Sequence, residues 1–152
     1  MARRGHLKDS NALRGQEKDR DPQNKPILKN FPMVSHWDFT DWDPAEQYLL
    51  SHFLEVVSRS FVVVFDDENP FLHEILPKAS YVKSVRHALL ALTACHLCKL
   101  YPNFEDSVVR HRSLALFFLK RDLESANDVE NTLAVSLLLC LFEVSRLHSV
   151  YI

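Results

Sequence analysis

The sequence predicts an all-α protein, built from antiparallel helix hairpins with about five helices and preceded by a disordered N-terminal tail. Apolar residues recur with the 3.6-residue period of amphipathic helices, and the connections between these stretches are short. The two glycines, Gly5 and Gly15, both lie in the polar N-terminal segment. At 152 residues the chain is about one domain long and can bury a core.

Residues 1–30 are predicted to be a disordered basic tail because they are polar and nearly free of apolar side chains. They carry eight Lys or Arg against four Asp or Glu, whereas the remainder carries ten against sixteen. Residues 31–43 predict an aromatic arm laid along the core. Its aromatic residues are Phe31, Trp37, Phe39 and Trp42.

The helical region is predicted to span residues 44–146. Its first helix begins with Asp43 as N-cap, Pro44 in the first position and Glu46 in the third, which is an aspartate version of the capping box. The apolar periodicity carries this helix into the FVVVF run at residues 61–65, and Asn69-Pro70 ends the element.

Four more helices are predicted after this turn. A short helix runs from about 70 to 76 and stops at Pro77, and Ser80 caps the next one. Asn127 or Asp128 caps the last. The predicted ranges of the three long helices are about 81–101, 104–126 and 129–146, and residues 147–152 form an irregular C-terminal end.

The glycine distribution excludes three large enzyme classes. Phosphate-binding loops and dinucleotide fingerprints need glycines where the backbone approaches the ligand, and a nucleophile elbow needs them beside its serine. Residues 16–152 contain no glycine, so none of these can be built there.

Cysteine usage and hydropathy predict an intracellular protein outside the membrane. Three cysteines cannot pair completely, and the N-terminus MARRGHLKDS lacks an apolar signal segment. The longest apolar run, residues 133–142, is much shorter than the about 20 residues of a membrane-spanning helix.

Residues 95–98 contain zinc-ligand types at a ligand-like spacing, Cys95-x-x-Cys98 with His96 between them. On a helix the two cysteines share one side, while His96 points about 100° away. His87 shares the cysteine side but lies about 12 Å along the axis from Cys95, too far for zinc bonds of about 2.0–2.3 Å. The thiols are therefore interpreted as small core residues.

The other candidates for chemistry are also interpreted as structural. His36, His52, His73 and His111 are scattered and lack the i, i+4 spacing of a helical zinc site. The acidic run at 66–68 lacks the glycine and the ligand spacing of a calcium loop. We expect no catalytic residue, no metal site and no cofactor.

Two charged residues fall on apolar helix faces. Arg112 lies within the wide apolar arc of the fourth helix, and Glu143 lies in a fifth helix that is apolar nearly all round. Because an unpaired buried charge is costly, we expect these two residues to form an ion pair in or near the core, with a structural role.

Four segments follow one another in a recognisable order and spacing. They are NPF with ILP (69–77), HALLALTACHL (87–97), RHRSLALFFLKRDL (110–123) and TLAVSLLLCLFEV (132–144). From Tyr48 onward the chain resembles the fungal-specific transcription factor domain, the helical regulatory region that follows a binuclear zinc-cluster DNA-binding domain. The resemblance covers about 100 residues, the N-terminal part of such a domain.

The resemblance implies a nuclear regulator of transcription that is not an enzyme, with two departures. A zinc cluster needs six cysteines, yet residues 1–94 contain none, so no direct sequence-specific DNA binding is expected. The family pattern continues with further helices after Val144, whereas this chain ends at Ile152, which predicts a truncated domain.

The fifth helix is the expected contact surface. Apolar residues surround its circumference, as in a helix that is buried on every side, and truncation would leave one flank uncovered. We expect this flank, with Leu138 and Leu141 facing outward, to contact a protein partner or a second copy of the chain. Lysine at either position is then expected to abolish association and to improve solubility.

Three interpretations of the function stay open at this point. The first is a fragment of a fungal transcription regulator that acts through helical protein–protein contacts. The second is a ligand-binding helical domain, which a ligand-dependent rise in melting temperature would favour. The third is a non-functional truncated product.

Overall fold

The computed structural model describes residues 37–63, 66–125 and 128–148, and all regular structure within these ranges is helical. This confirms the predicted all-α fold with its helix hairpins. The predicted tail, the first part of the aromatic arm and residues 149–152 lie outside the described residues. The helices are α1 (Pro44–His52), α2 (Ser58–Ser60), α3 (Leu76–Tyr81), α4 (Lys83–Cys98), α5 (Glu105–Glu124) and α6 (Val129–His148).

The start of α1 confirms the predicted capping box. The Asp43 carboxylate accepts a hydrogen bond from the Glu46 N–H at 2.8 Å, and the Glu46 carboxylate accepts one from the Asp43 N–H at 3.3 Å. A π-helical turn at Phe53–Val57 joins α1 to α2, so residues 44–60 form one continuous helical segment.

This first segment is shorter than predicted, because the helix does not extend into the FVVVF run. It ends at Ser60, and Val62 and Val63 have no helical structure. Branching at Cβ restricts valine in a helix. The Asn69 side-chain amide also donates to the Ser58 carbonyl at 3.0 Å, and this bond satisfies an end-of-helix acceptor that a longer helix would have used.

The Asn69-Pro70 turn begins the second segment, but Pro77 does not stop it. A π-helical turn at Phe71–Ile75 leads directly into α3, where Pro77 occupies the second position. Proline is tolerated in the first turn of an α-helix because its missing N–H is not needed there. Pro77 lies in the first turn of α3, where the π-helical turn gives way to α-helix, so it does not interrupt the segment.

Ser80 does not cap α4, contrary to the prediction. Its hydroxyl donates to the Pro77 carbonyl at 2.7 Å, and the extended residue Val82 precedes α4 without a side-chain cap. Asp128 does cap α6, since its carboxylate accepts from the Glu130 N–H at 3.0 Å.

Helix α4 is the centre of the core, packed against α1, α3, α5 and α6. A stripe of small residues along α4 is buried at Ser84, Ala88, Ala91 and Cys95, while Cys98 is half-buried. Small side chains permit close approach of neighbouring helices, so α5 and α6 both pack directly on α4.

In the described part of the aromatic arm, two aromatic residues lie on this core and Trp37 is 38% exposed. Phe39 and Trp42 are buried and meet edge to face, with ring centroids 5.0 Å apart. The Arg86 guanidinium of α4 lies 4.4 Å from the Trp42 ring on its face. Among the described helices, none combines the length and hydropathy needed to cross a membrane.

Candidate functional site

Helix α6 is apolar on two opposite sides, and only one of them is covered by the described chain. The inner side packs on α4 through Val135, Leu138 and Phe142, each of which has no exposed surface. The outer side carries five exposed residues that we call the outer stripe. They are Leu133, Leu137, Cys140, Val144 and Leu147.

The spacing of the outer stripe is that of a helix seam. Its members alternate by four, three, four and three residues, which is the heptad pattern that packs one helix against another in a coiled coil. Leu133, Val144 and Leu147 are each more than 60% exposed. This side of α6 therefore has the apolar spacing of a helix that packs against another helix.

The two residues predicted to face outward do not form this stripe. Leu138 has 0% exposed surface and lies in the core, and Leu141 is half-buried against that core. Leu138 is buried because it lies on the same helix face as Val135 and Phe142, at steps of three and four residues. The prediction that Leu138 faces a partner was wrong.

Helix α5 adds a second exposed apolar row. Val109, Leu116 and Leu123 lie seven residues apart and are 42–61% exposed, and Phe117 is exposed beside them. Exposed apolar residues at a seven-residue spacing also follow a seam pattern. Helices α5 and α6 thus each have an uncovered apolar face.

Arg112 and Glu143 lie opposite one another between α5 and α6. Glu143 Oε1 accepts a hydrogen bond from Arg112 Nε at 3.1 Å and forms an ion pair with Arg112 Nη2 at 2.9 Å. Both guanidinium groups next to Glu143, those of Arg112 and Arg146, lie within 6 Å of the Phe142 ring. The two partners are 42% and 47% exposed, so the contact lies at the boundary of the core and contributes at most about 1 kcal/mol.

A buried polar cluster lies where α1, α4 and α5 meet, and the sequence analysis did not foresee it. It consists of Glu46, His87 and His111, which are 5%, 9% and 3% exposed. The two histidine Nδ1 atoms are 3.1 Å apart, and Glu46 Oε1 is 4.0 Å from His87 Nδ1. We call these residues the Glu–His–His cluster.

Burial keeps both histidines of this cluster neutral. Burial lowers the pKa of both His87 and His111 to about 4. At His87, the neighbouring His111 lowers the pKa further. At neutral pH one Nδ1 carries a proton and donates to the other, so the pair forms a single hydrogen bond. These residues come from three different helices, so the i, i+4 spacing of ligands within one helix does not reveal them.

A second histidine pair joins α1 to α4. His52 Nε2 and His96 Nδ1 are 3.1 Å apart, so His96 turns toward α1. Cys95 and Cys98 line an open cleft with Lys99, Glu105, Val108 and Arg146 instead. Burial raises the pKa of the Cys95 thiol, as expected for a core thiol.

The His52–His96 pair predicts a stability that falls in acid. Burial is the largest cause of the lowered pKa in both rings. The pKa of His52 is lowered further by His96, while Glu55 raises it. The pKa of His96 is lowered further by Lys99. The folded pKa values lie below the ordinary 6.5, so the unfolded chain takes up more protons. The stability that the neutral pair contributes is complete above pH 6.5 and is lost as the pH falls below it.

We expect the urea midpoint to fall between about pH 7.5 and about pH 5, and to fall less in the double variant His52→Gln/His96→Gln. Asn103→Gln provides the control, since it introduces the same side chain at an exposed position and should keep the wild-type pH dependence. An unchanged pH dependence in the double variant would contradict this prediction.

One of the comparisons with known proteins gives a match. The family model described as Fungal specific transcription factor domain matches residues 48–149, from within α1 to the end of α6. No curated protein and no solved structure matches the chain. Because the family model matches more than half of the 152 residues, the chain belongs to the fungal-specific transcription factor domain family.

Proposed function

We propose that this chain is a regulatory domain of a fungal transcription regulator and acts by protein–protein contact through the outer stripe of α6. Membership of the family supports the regulatory role and the assignment to the nucleus. The observation that carries the contact mechanism is the five-residue exposed stripe with heptad spacing. The role is regulatory and not catalytic.

A second copy of the same chain is the partner that this stripe fits best. A seam of leucine, valine and cysteine carries no charge of its own, so two copies can face each other about a two-fold axis without burying like charges. Charged residues that select a different partner usually lie beside such seams. Here Glu143, which borders the stripe, already pairs with Arg112 and Arg146 of its own chain.

This proposal assigns no DNA reading to the 152 residues of this sequence. A binuclear zinc cluster needs six cysteines, whereas the sequence has Cys95 and Cys98 in α4 and Cys140 in α6. The domain would therefore act on transcription through the proteins that it pairs with, and not by contacting bases.

The test is self-association of the full chain by sedimentation velocity. We expect wild type to dimerise and the double variant Leu137→Lys/Val144→Lys to weaken the dimer at least about a hundredfold, because two apolar contacts of about 1.5–3 kcal/mol each are lost. Both side chains are at least half exposed, so the circular dichroism spectrum should not change.

Val63→Lys and Tyr81→Lys are matched controls, since they place lysine at exposed apolar positions outside α6 and its outer stripe. Both should dimerise as wild type does. A wild-type chain that stays monomeric at about 100 µM would count against the proposal. The same conclusion would follow if the double variant dimerised normally.

A further inference from the structure

We propose that Glu46, His87 and His111 bind one divalent transition-metal ion, preferably zinc, and that water occupies the fourth coordination position. The three side chains offer two imidazole nitrogens and one carboxylate oxygen, and these atoms all lie within 4.8 Å of one another. Two histidines and one glutamate form an established ligand set for zinc with an open position. The proposal reverses the expectation of no metal site and does not depend on the proposed protein contact.

Two of the three distances between ligand atoms are close to those around a tetrahedral ion, and the third is at most 4.8 Å. Bonds of about 2.0–2.1 Å place the ligand atoms of tetrahedral zinc about 3.3 Å apart. The Nδ1–Nδ1 distance of 3.1 Å needs a small expansion. The distance of 4.0 Å between Glu46 Oε1 and His87 Nδ1 needs a contraction of less than about 1 Å.

The groups around the cluster hold two of its ligands in position. Glu46 Oε2 accepts from the Asp43 N–H at 3.3 Å and from Arg86 Nη2, which leaves Oε1 on the histidine side. The His87 ring stacks on Phe118, with centroids 5.6 Å apart and an interplanar angle of 12°. Outer contacts of this kind fix ligand orientation in metal sites.

The charges around the cluster include both signs. Arg86 is a positive neighbour, and Asp41 Oδ2 pairs with its Nη1 at 3.1 Å. The Asp43 carboxylate lies 4.0 Å from Arg110 Nη2. With three carboxylates and two guanidinium groups, the immediate surroundings carry a formal charge of −1, so a bound divalent ion would leave a formal charge of +1. The pairing of both guanidinium groups with carboxylates limits their repulsion of the ion.

The histidines are also in the state that a metal requires. A metal ligand must be a neutral imidazole with a free lone pair, and burial of both rings favours this form at neutral pH. Without an ion, the hydrogen bond between the two rings occupies one lone pair. Glu46 Oε1 is then 4.0 Å from His87 Nδ1, which is beyond hydrogen-bond distance.

The experiment is a titration of the full chain with Co²⁺, after removal of bound metal with a chelator. Four-coordinate Co²⁺ absorbs visible light, so it reports geometry as well as stoichiometry. We expect saturation at one ion per chain, loss of the spectrum on addition of zinc, and a zinc-dependent rise in melting temperature of about 5 °C or more. Absence of a saturable spectrum, or several equivalent weak sites, would overturn the proposal.

Matched variants separate this cluster from other donors. His111→Gln and Glu46→Gln should lower the affinity at least tenfold, whereas Cys95→Ser/Cys98→Ser/Cys140→Ser and His52→Gln/His96→Gln should bind as wild type does. The cysteine-free variant leaves the cluster untouched, so it remains informative even if the His111 variant folds poorly. Retention of the Co²⁺ spectrum in His111→Gln, or its loss in the cysteine-free variant, would also overturn the assignment.

Discussion

Leu138→Lys is expected to unfold most of the protein at room temperature, whereas the same substitution one residue earlier, Leu137→Lys, leaves it folded. Leu138 is 0% exposed on the side of α6 that packs on α4, and Leu137 is 50% exposed on the outer stripe. Loss of a buried leucine costs about 2–5 kcal/mol, and placing an ammonium group in the same space adds to that cost. The total is comparable with the about 5–15 kcal/mol of a typical domain.

Urea unfolding followed by circular dichroism measures the difference between the two variants. At protein concentrations where the chain is monomeric, Leu137→Lys should change the free energy of unfolding by less than about 1 kcal/mol, because exposed positions tolerate substitution. The pair is closely matched, since residue type, helix and new side chain are the same. Equal losses of stability in the two variants would show that α6 does not pack on α4 in this orientation.

The fold was predictable because periodicity and helix-end signals are local. The Asp43 capping box and the Asn69-Pro70 turn lie where the sequence places them. The wrong predictions concern helix ends and helix faces that are set by contacts from outside the segment. The helix before the turn ends at Ser60 because a side chain from the turn, that of Asn69, takes the Ser58 carbonyl.

The inner and outer sides of α6 could not be distinguished from the sequence for a related reason. When a helix is apolar on all sides, its hydrophobic pattern does not indicate which side faces the core. The buried side is then set by packing against α4. Only the structure shows that Val135, Leu138 and Phe142 lie on the buried side.

The Glu–His–His cluster was missed because its members are distant in sequence. Glu46 and His111 are separated by the whole of α3 and α4, and only helix packing brings their side chains together. A signal was nevertheless present. His87 lies on the face of α4 that carries the small buried residues, and a polar residue on such a face needs a partner from a neighbouring helix.

Asn69→Ala is the second large prediction, with an expected loss of about 2–4 kcal/mol in the free energy of unfolding. Asn69 is fully buried, and its side chain makes two hydrogen bonds at 3.0 Å. Its amide donates to the Ser58 carbonyl, and its carbonyl accepts from the Phe71 N–H. Alanine would leave two buried backbone groups without partners, and each such group costs about 1–3 kcal/mol.

Asn69→Asp tests which of the two bonds dominates. Aspartate can still accept from the Phe71 N–H, but it cannot donate to Ser58, and its carboxylate would face the carbonyl oxygen in a buried site. We therefore expect aspartate to be at least as destabilising as alanine, although it is the closer match in shape. Asn103→Ala, at an exposed position, should cost less than about 0.5 kcal/mol in the same urea titration. If aspartate were tolerated and alanine were not, the bond to Phe71 would stabilise the turn by itself, and another group would have to end the first helix.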